Sequence, residues 1–140
     1  MKYMLFLLLL TGASCTTGQR EATRFTDSAP LVEYADTLPC ADCAGIYTSL
    51  AIDQSSSSEH RTYRLTETYL GSEEGNTTFS HFGSYRELPA DSSGYSRLLL
   101  DSGMQRQRYF FRIDSNTLEM ADQRGARIVS ELNYQLKRQP

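Results

Sequence analysis

From Val32 onward the chain alternates apolar and polar residues in short runs, and no stretch keeps a helical period long enough to compete. Residues 32–38 form the first run, closed by Pro39, which has no N–H to give a ladder. Residues 46–52 alternate cleanly, and Gln54 with the serines at 55–58 supplies an exposed hairpin tip. Residues 61–70 put Tyr63, Leu65 and Tyr69 on one face and Arg64, Thr66 and Thr68 on the other. Residues 71–76 turn the chain into a run at 79–88, and Asp91-Ser92-Ser93-Gly94 turns it again into 95–100. Asp101-Ser102-Gly103 is a tight hairpin signal. It leads into 105–113, where Gln107, Tyr109, Phe111 and Ile113 oppose Arg106, Arg108 and Arg112. Asp114-Ser115-Asn116 precedes a short strand at 117–121. Residues 122–125 then turn into 127–137, with Ile128, Leu132, Tyr134 and Leu136 on a shared face.

This pattern predicts an all-β domain of about eight strands joined by short turns. Sequential hairpins leave two unpaired edges, and closing the meander into an antiparallel up-and-down barrel removes them. A β-sandwich is the alternative. An eight-stranded barrel is either filled by its own side chains or holds one small ligand. Tyr63, Tyr69, Tyr85, Tyr109 and Phe111 are the residues to fill it or to line a pocket, so a carrier of a small apolar ligand stays open.

The residues before the domain read as export and anchoring. Lys2 is a positive start, residues 3–10 are unbroken apolar, and Gly12-Ala13-Ser14 precedes Cys15. The apolar run is too short to span a bilayer, so a cleaved signal fits. Cys15 stands at the lipid-acceptor position of a bacterial lipobox. The alternative is an ordinary signal cut near Ala13 that leaves Cys15 a free thiol. The expected organisation is a signal over 1–14, a lipidated Cys15 with a polar tether over 15–30, and the barrel over 31–138. More than one acyl chain on Cys15 gives stable membrane anchoring. Thr16 after the cysteine is compatible with outer-membrane sorting, with the domain in the periplasm.

Without residues 1–14 the chain has thirteen Lys and Arg against seventeen Asp and Glu, a net charge of −4 with both signs interspersed. No basic stripe suits nucleic acid. No Ser/His/Asp arrangement, phosphate loop or dinucleotide fingerprint points to an enzyme, and no carboxylate pair has acid–base spacing.

Export leaves one cysteine pair, Cys40 and Cys43, in an oxidising compartment. An i to i+3 turn brings their Cα atoms within reach of a disulfide. Reduced, the two thiolates suit Cu(I) or Zn(II), although a closed zinc site wants four ligands. His60, His81, Met104 and Met120 read as turn or barrel residues rather than further ligands. A thioredoxin-like catalyst needs a helix after the motif to lower the thiol pKa, and here Gly45 and a strand-like run follow. Asp42 is placed to orient the turn or to tune the thiols.

The stretch Leu38-Pro39-Cys40-Ala41-Asp42-Cys43, followed by Gly45-Ile46-Tyr47-Thr48-Ser49-Leu50, resembles the N-terminal-domain family of NlpE lipoproteins. Glu67-Thr68-Tyr69-Leu70-Gly71, Gly83-Ser84-Tyr85, Leu118-Glu119-Met120 and Asn133-Tyr134-Gln135-Leu136 extend the likeness over about residues 32–137. Ala44 stands where relatives often carry an acidic residue. The resemblance implies a lipocalin-like barrel and a role in copper resistance and envelope-stress sensing. It implies Cys40 and Cys43 as a redox- or metal-responsive element, supported by Pro39, Asp42 and Gly45. It also implies a monomer that contacts a periplasmic or inner-membrane sensor protein. Longer family members continue into an OB-like domain, whose role does not carry over.

Overall fold

The computed structural model describes residues 31–54, 61–73, 75–101, 103 and 107–140. Its strands are β1 (Leu31–Leu38), β2 (Gly45–Asp53), β3 (Thr62–Ser72), β4 (Gly75–Leu88), β5 (Arg97–Asp101), β6 (Arg108–Asp114), β7 (Thr117–Met120) and β8 (Gln135–Arg138). Each pairs antiparallel with the next, and β8 pairs with β1, so the eight strands form a closed barrel, as the alternation predicts.

The turns are made by the residues that mark them in the sequence. Asp91, Asp101, Asp114 and Asp122 each accept, through Oδ1, a backbone N–H two residues on, at 2.7–2.9 Å. These Asx turns hold the backbone where a ladder stops. Gly71 and Gly75 flank the β3–β4 turn at φ 64° and 86°, the left-handed region that glycine enters freely.

Alternate residues of every strand meet inside. Tyr34, Leu50, Leu65, Leu98, Phe110 and Leu136 are among those with essentially no exposed surface in one contiguous cluster. Each such aliphatic or aromatic side chain contributes roughly 1.5–3 kcal/mol by leaving water. Two of the interior tyrosines bond carbonyls at the barrel ends: Tyr34 donates to the Ser115 carbonyl at 3.0 Å and Tyr85 to the Asp53 carbonyl at 2.6 Å.

Three expectations are corrected. β4 begins at Gly75 rather than residue 79, because Thr77 and Thr78 pair with Tyr69 and Thr68 and lengthen the hairpin. β8 is only Gln135–Arg138 rather than 127–137. After an isolated bridge between Ala121 and Arg127, the chain leaves the ladder. There Ser130 Oγ accepts the Leu132 N–H and Asn133 Oδ1 accepts the Gln135 N–H, local bonds that compete with strand pairing. Leu136 is therefore buried, while Leu132 is 60% exposed and does not share its face.

The third correction concerns β6. Arg108, Phe110 and Arg112 share the inward face, and Tyr109 and Phe111 point outward. Phe111 is nonetheless buried, because the 122–127 turn folds back over the outer wall. Arg97 lies 6.0 Å from the Phe111 ring centre and donates to the Gly125 carbonyl at 3.1 Å. A Cβ at Gly125 would stand 3.2 Å from the Tyr109 ring, so the turn packs closely there. Tyr109 and Phe111 thus belong to an outer layer and do not line the barrel.

Candidate functional site

β1 ends at Leu38, and Pro39 takes the chain out of the ladder into Cys40-Ala41-Asp42-Cys43. Cys40 and Cys43 are joined by a disulfide, with Cα atoms 5.4 Å apart. Both are half-buried, and Ala41, Asp42 and Ala44 are exposed. The loop is seated on its neighbours by the Ala44 N–H, which donates to the Leu70 carbonyl at 2.9 Å, and by Gly45, which pairs with Leu70. Gly45 is required by a close approach: a Cβ there would lie 2.6 Å from Thr37 Cγ2. Asp42 makes no hydrogen bond among the described residues, so the disulfide and the Ala44 link hold this corner, not the Asp42 side chain.

The arrangement offers a redox couple and little else. Bonded to each other, the two sulfurs present no thiolate, and no group of three or more His, Cys, Asp or Glu is assembled for a metal among the described residues. In this state the corner does not fit a resident copper or zinc ion. His81 sits in β4 with its Nε2 3.7 Å from Glu67, and Met120 packs against the core. Cys15, His60, Met104 and Arg106 lie outside the described residues.

What the sequence reading passed over is charge inside the barrel. Glu67 continues the inward row Tyr63-Leu65-Glu67 of β3 and is 4% exposed. Arg108 reaches it from β6, its two terminal nitrogens donating to the two carboxylate oxygens at 2.8 and 2.9 Å. Nearer the opposite end, Arg112 donates from Nε to Glu87 at 2.9 Å, and Arg61 stands 3.7 Å from the same carboxylate. Burial pushes the Glu87 carboxyl up, but the hydrogen bonds from Arg112 and Ser96 and the two guanidinium charges outweigh it and hold it below the ordinary carboxylate value. The signal for Glu67 was present: a carboxylate in phase with buried Tyr63 and Leu65, and arginines in phase with Phe110.

Among the described residues, two openings lie at the rims. One of about 240 Å³ is bounded by Arg108, Met120 and Gln123, and a groove of about 620 Å³ by Tyr95, Arg112 and Arg138. The fully buried side chains Tyr34, Phe110, Leu50 and Leu98 occupy the axis between them. This packing does not favour a ligand carrier.

The strand order puts the disulfide corner, the β3–β4 turn and the segment between β7 and β8 at one barrel end. Leu31, where the chain enters from residues 1–30, lies at the other.

The NlpE N-terminal domain family matches residues 34–131. Lipoprotein NlpE of Escherichia coli (strain K12) is 35% identical over 100 residues, which cover 71% of this chain and 37% of that protein. The chain therefore spans little more than a third of the length of this curated relative. No solved structure matches the chain.

Proposed function

The chain belongs to the NlpE N-terminal domain family, and from that premise we propose that it is a lipid-anchored, non-enzymatic envelope protein whose disulfide corner reports redox stress. In this reading residues 1–14 are a cleaved signal, Cys15 carries the lipid in the outer membrane, and 15–30 tether the 31–138 barrel in the periplasm. The output is copper tolerance and envelope-stress signalling through contact with a periplasmic or inner-membrane sensor protein.

The observation that carries the reading is the half-exposed Cys40–Cys43 bond at the end of the barrel opposite Leu31. A bond that closes so small a loop stabilises by only about 2 kcal/mol in the chain-entropy picture. The adjoining β1–β2 ladder runs through eight residue pairs, from Leu31↔Asp53 to Leu38↔Ile46, and holds without it. Reduction therefore changes the chemistry and freedom of one exposed corner while the barrel stays folded. Those are the properties of a reporter rather than a structural clamp. Half-exposed disulfides are also the more accessible to thiol exchange.

The test is the double variant Cys40→Ser, Cys43→Ser in the full lipidated chain, scored for copper tolerance and stress-reporter output. The reading expects altered output from a protein that still shows the parent's strand circular dichroism. Unchanged tolerance together with unchanged output would remove the corner from the function.

A further inference from the structure

The β3–β4 hairpin outruns the sheet around it. β4 has 14 residues, but β5 pairs only with its last stretch, from Ser84↔Asp101 to Leu88↔Arg97. Upstream, β4 pairs with β3 on one side, and each of the residues 75–80 is exposed. On the other side no strand pairs with residues 75–80 among the described residues. β5 has ended at Asp101 by then, and the chain returns as β6 from Arg108.

Natural sheets blunt such edges with charge, proline or a bulge, because a row of unpaired N–H and C=O groups is a template for another strand. This edge has none of these devices. Residues 75–83 read Gly-Asn-Thr-Thr-Phe-Ser-His-Phe-Gly, with no Lys, Arg, Asp, Glu or Pro. Its one register shift falls back at the turn, between Tyr69 and Ser72. The two faces beside the edge differ. On one, Phe79 is 51% exposed and stands edge-on to Tyr69 with ring centres 5.7 Å apart. On the other, Thr68 and Thr78 meet at 3.0 Å and Thr66 and Ser80 at 3.5 Å, an uncharged ladder of hydroxyls.

We propose that residues 75–80 form a docking edge that accepts an extended, uncharged segment of a partner protein as an added β-strand. The chemistry sets the partner. Unpaired backbone groups in a row ask for an extended backbone, which supplies the complementary donors and acceptors. Phe79 asks for apolar side chains at alternate positions on its face, and the hydroxyl ladder takes Thr or Ser on the other. Residues 75–80 carry no charge to pair with a charged segment, and Glu67, across from Phe79, is already held by Arg108. A second copy fits less well. Two β4 edges paired antiparallel are related by a twofold axis across the strands, which turns one barrel over and sends the two Leu31 ends in opposite directions. That argument against self-pairing rests on the anchoring through Cys15 proposed above; the edge itself does not. The disulfide corner lies at the same barrel end but across β3 from this edge, where Ala44 is bonded to Leu70 and a Cβ at Gly71 would lie 3.4 Å from Ala44 Cβ.

The probe is a set of four capped peptides with Thr at alternate positions and Val, Ile, Phe or Tyr between. Each is N-methylated along one edge so that it cannot stack on itself. Amide hydrogen exchange of residues 75–80 is followed in the full chain in detergent. The proposal expects at least one peptide to slow alternate amides there by about tenfold, and the same peptide N-methylated at every residue to slow none. No slowing with any of the four overturns it, as does equal slowing by the fully methylated form. Slowing that needs no peptide and rises with protein concentration overturns it in favour of a second copy.

Discussion

Replacing Glu67 by Gln removes the charge from the carboxylate of the Glu67–Arg108 pair while keeping its shape. The carboxylate side chain is 5% exposed and Arg108 33%, with the two guanidinium hydrogen bonds at 2.8 and 2.9 Å. Breaking a fully buried pair by removing one partner costs roughly 3–5 kcal/mol, because the other charge is left uncompensated. Water reaches a third of Arg108 and screens part of that penalty, so about 2–3 kcal/mol is the expected loss. For a domain of this size that corresponds to a fall in Tm of roughly 8–24 °C. The assay is urea and thermal unfolding at pH 7 by circular dichroism, with the double variant Glu67→Leu, Arg108→Met as the control. Because the apolar pair leaves no charge behind, it should return to within about 1 kcal/mol of the parent. A Glu67→Gln variant within about 0.5 kcal/mol of the parent would refute the claim that this pair lies in a low-dielectric interior.

The other predictions follow from single contacts. Gly45→Ala should cost about 1–3 kcal/mol in urea unfolding, because its Cβ would lie 2.6 Å from Thr37 Cγ2. Adding Thr37→Ser, which deletes that methyl, should restore part of the loss; no recovery would assign the cost elsewhere. Glu87 and Glu119 are both held below the ordinary carboxylate value of 4.5, the second chiefly by its hydrogen bond from Arg127. A depressed carboxyl contributes stability above its unfolded-state pKa, and this is lost as pH falls through the folded one. Stability should therefore drop from about pH 4.5 downward, and less steeply in Glu87→Gln; an unchanged slope would count against the Arg112 pairing. Cys15→Ser should move the protein from the membrane fraction to the soluble fraction after cell lysis, and continued sedimentation with membranes would remove the lipid from Cys15.

Much of the barrel was legible because its turns are written in Asp, Ser and Gly and its strands alternate. The strand count and the pairing order depend on nothing else. The face of β6 was not legible, and the reason is specific. Tyr109, Phe110 and Phe111 place aromatics on both sides of one strand, and both sides are covered, one by the core and one by the 122–127 turn. Alternation assigns a face only when one side meets water. The same outer layer explains why Leu98, Leu99 and Leu100 are all buried. The apolar residues of 127–134 look like a strand until Ser130 and Asn133 are seen to bind their own backbone. The disulfide corner was visible as a spacing that favours a disulfide in an oxidising compartment, with a metal-binding thiol pair as the alternative. Joining of the sulfurs comes from the fold, where Pro39 ends β1 and Gly45 starts β2, closing the corner to 5.4 Å between Cα atoms.

The central claim is that Cys40 and Cys43 change oxidation state while the barrel persists. It is tested most directly by trapping thiols in intact cells with an alkylating mass tag, before and after a challenge to oxidative folding, and reading the tag on the peptide spanning both cysteines. The account predicts an untagged, disulfide-bonded peptide at rest and a doubly tagged fraction that appears on challenge alongside the stress output. A peptide that stays untagged while the stress output rises would contradict it.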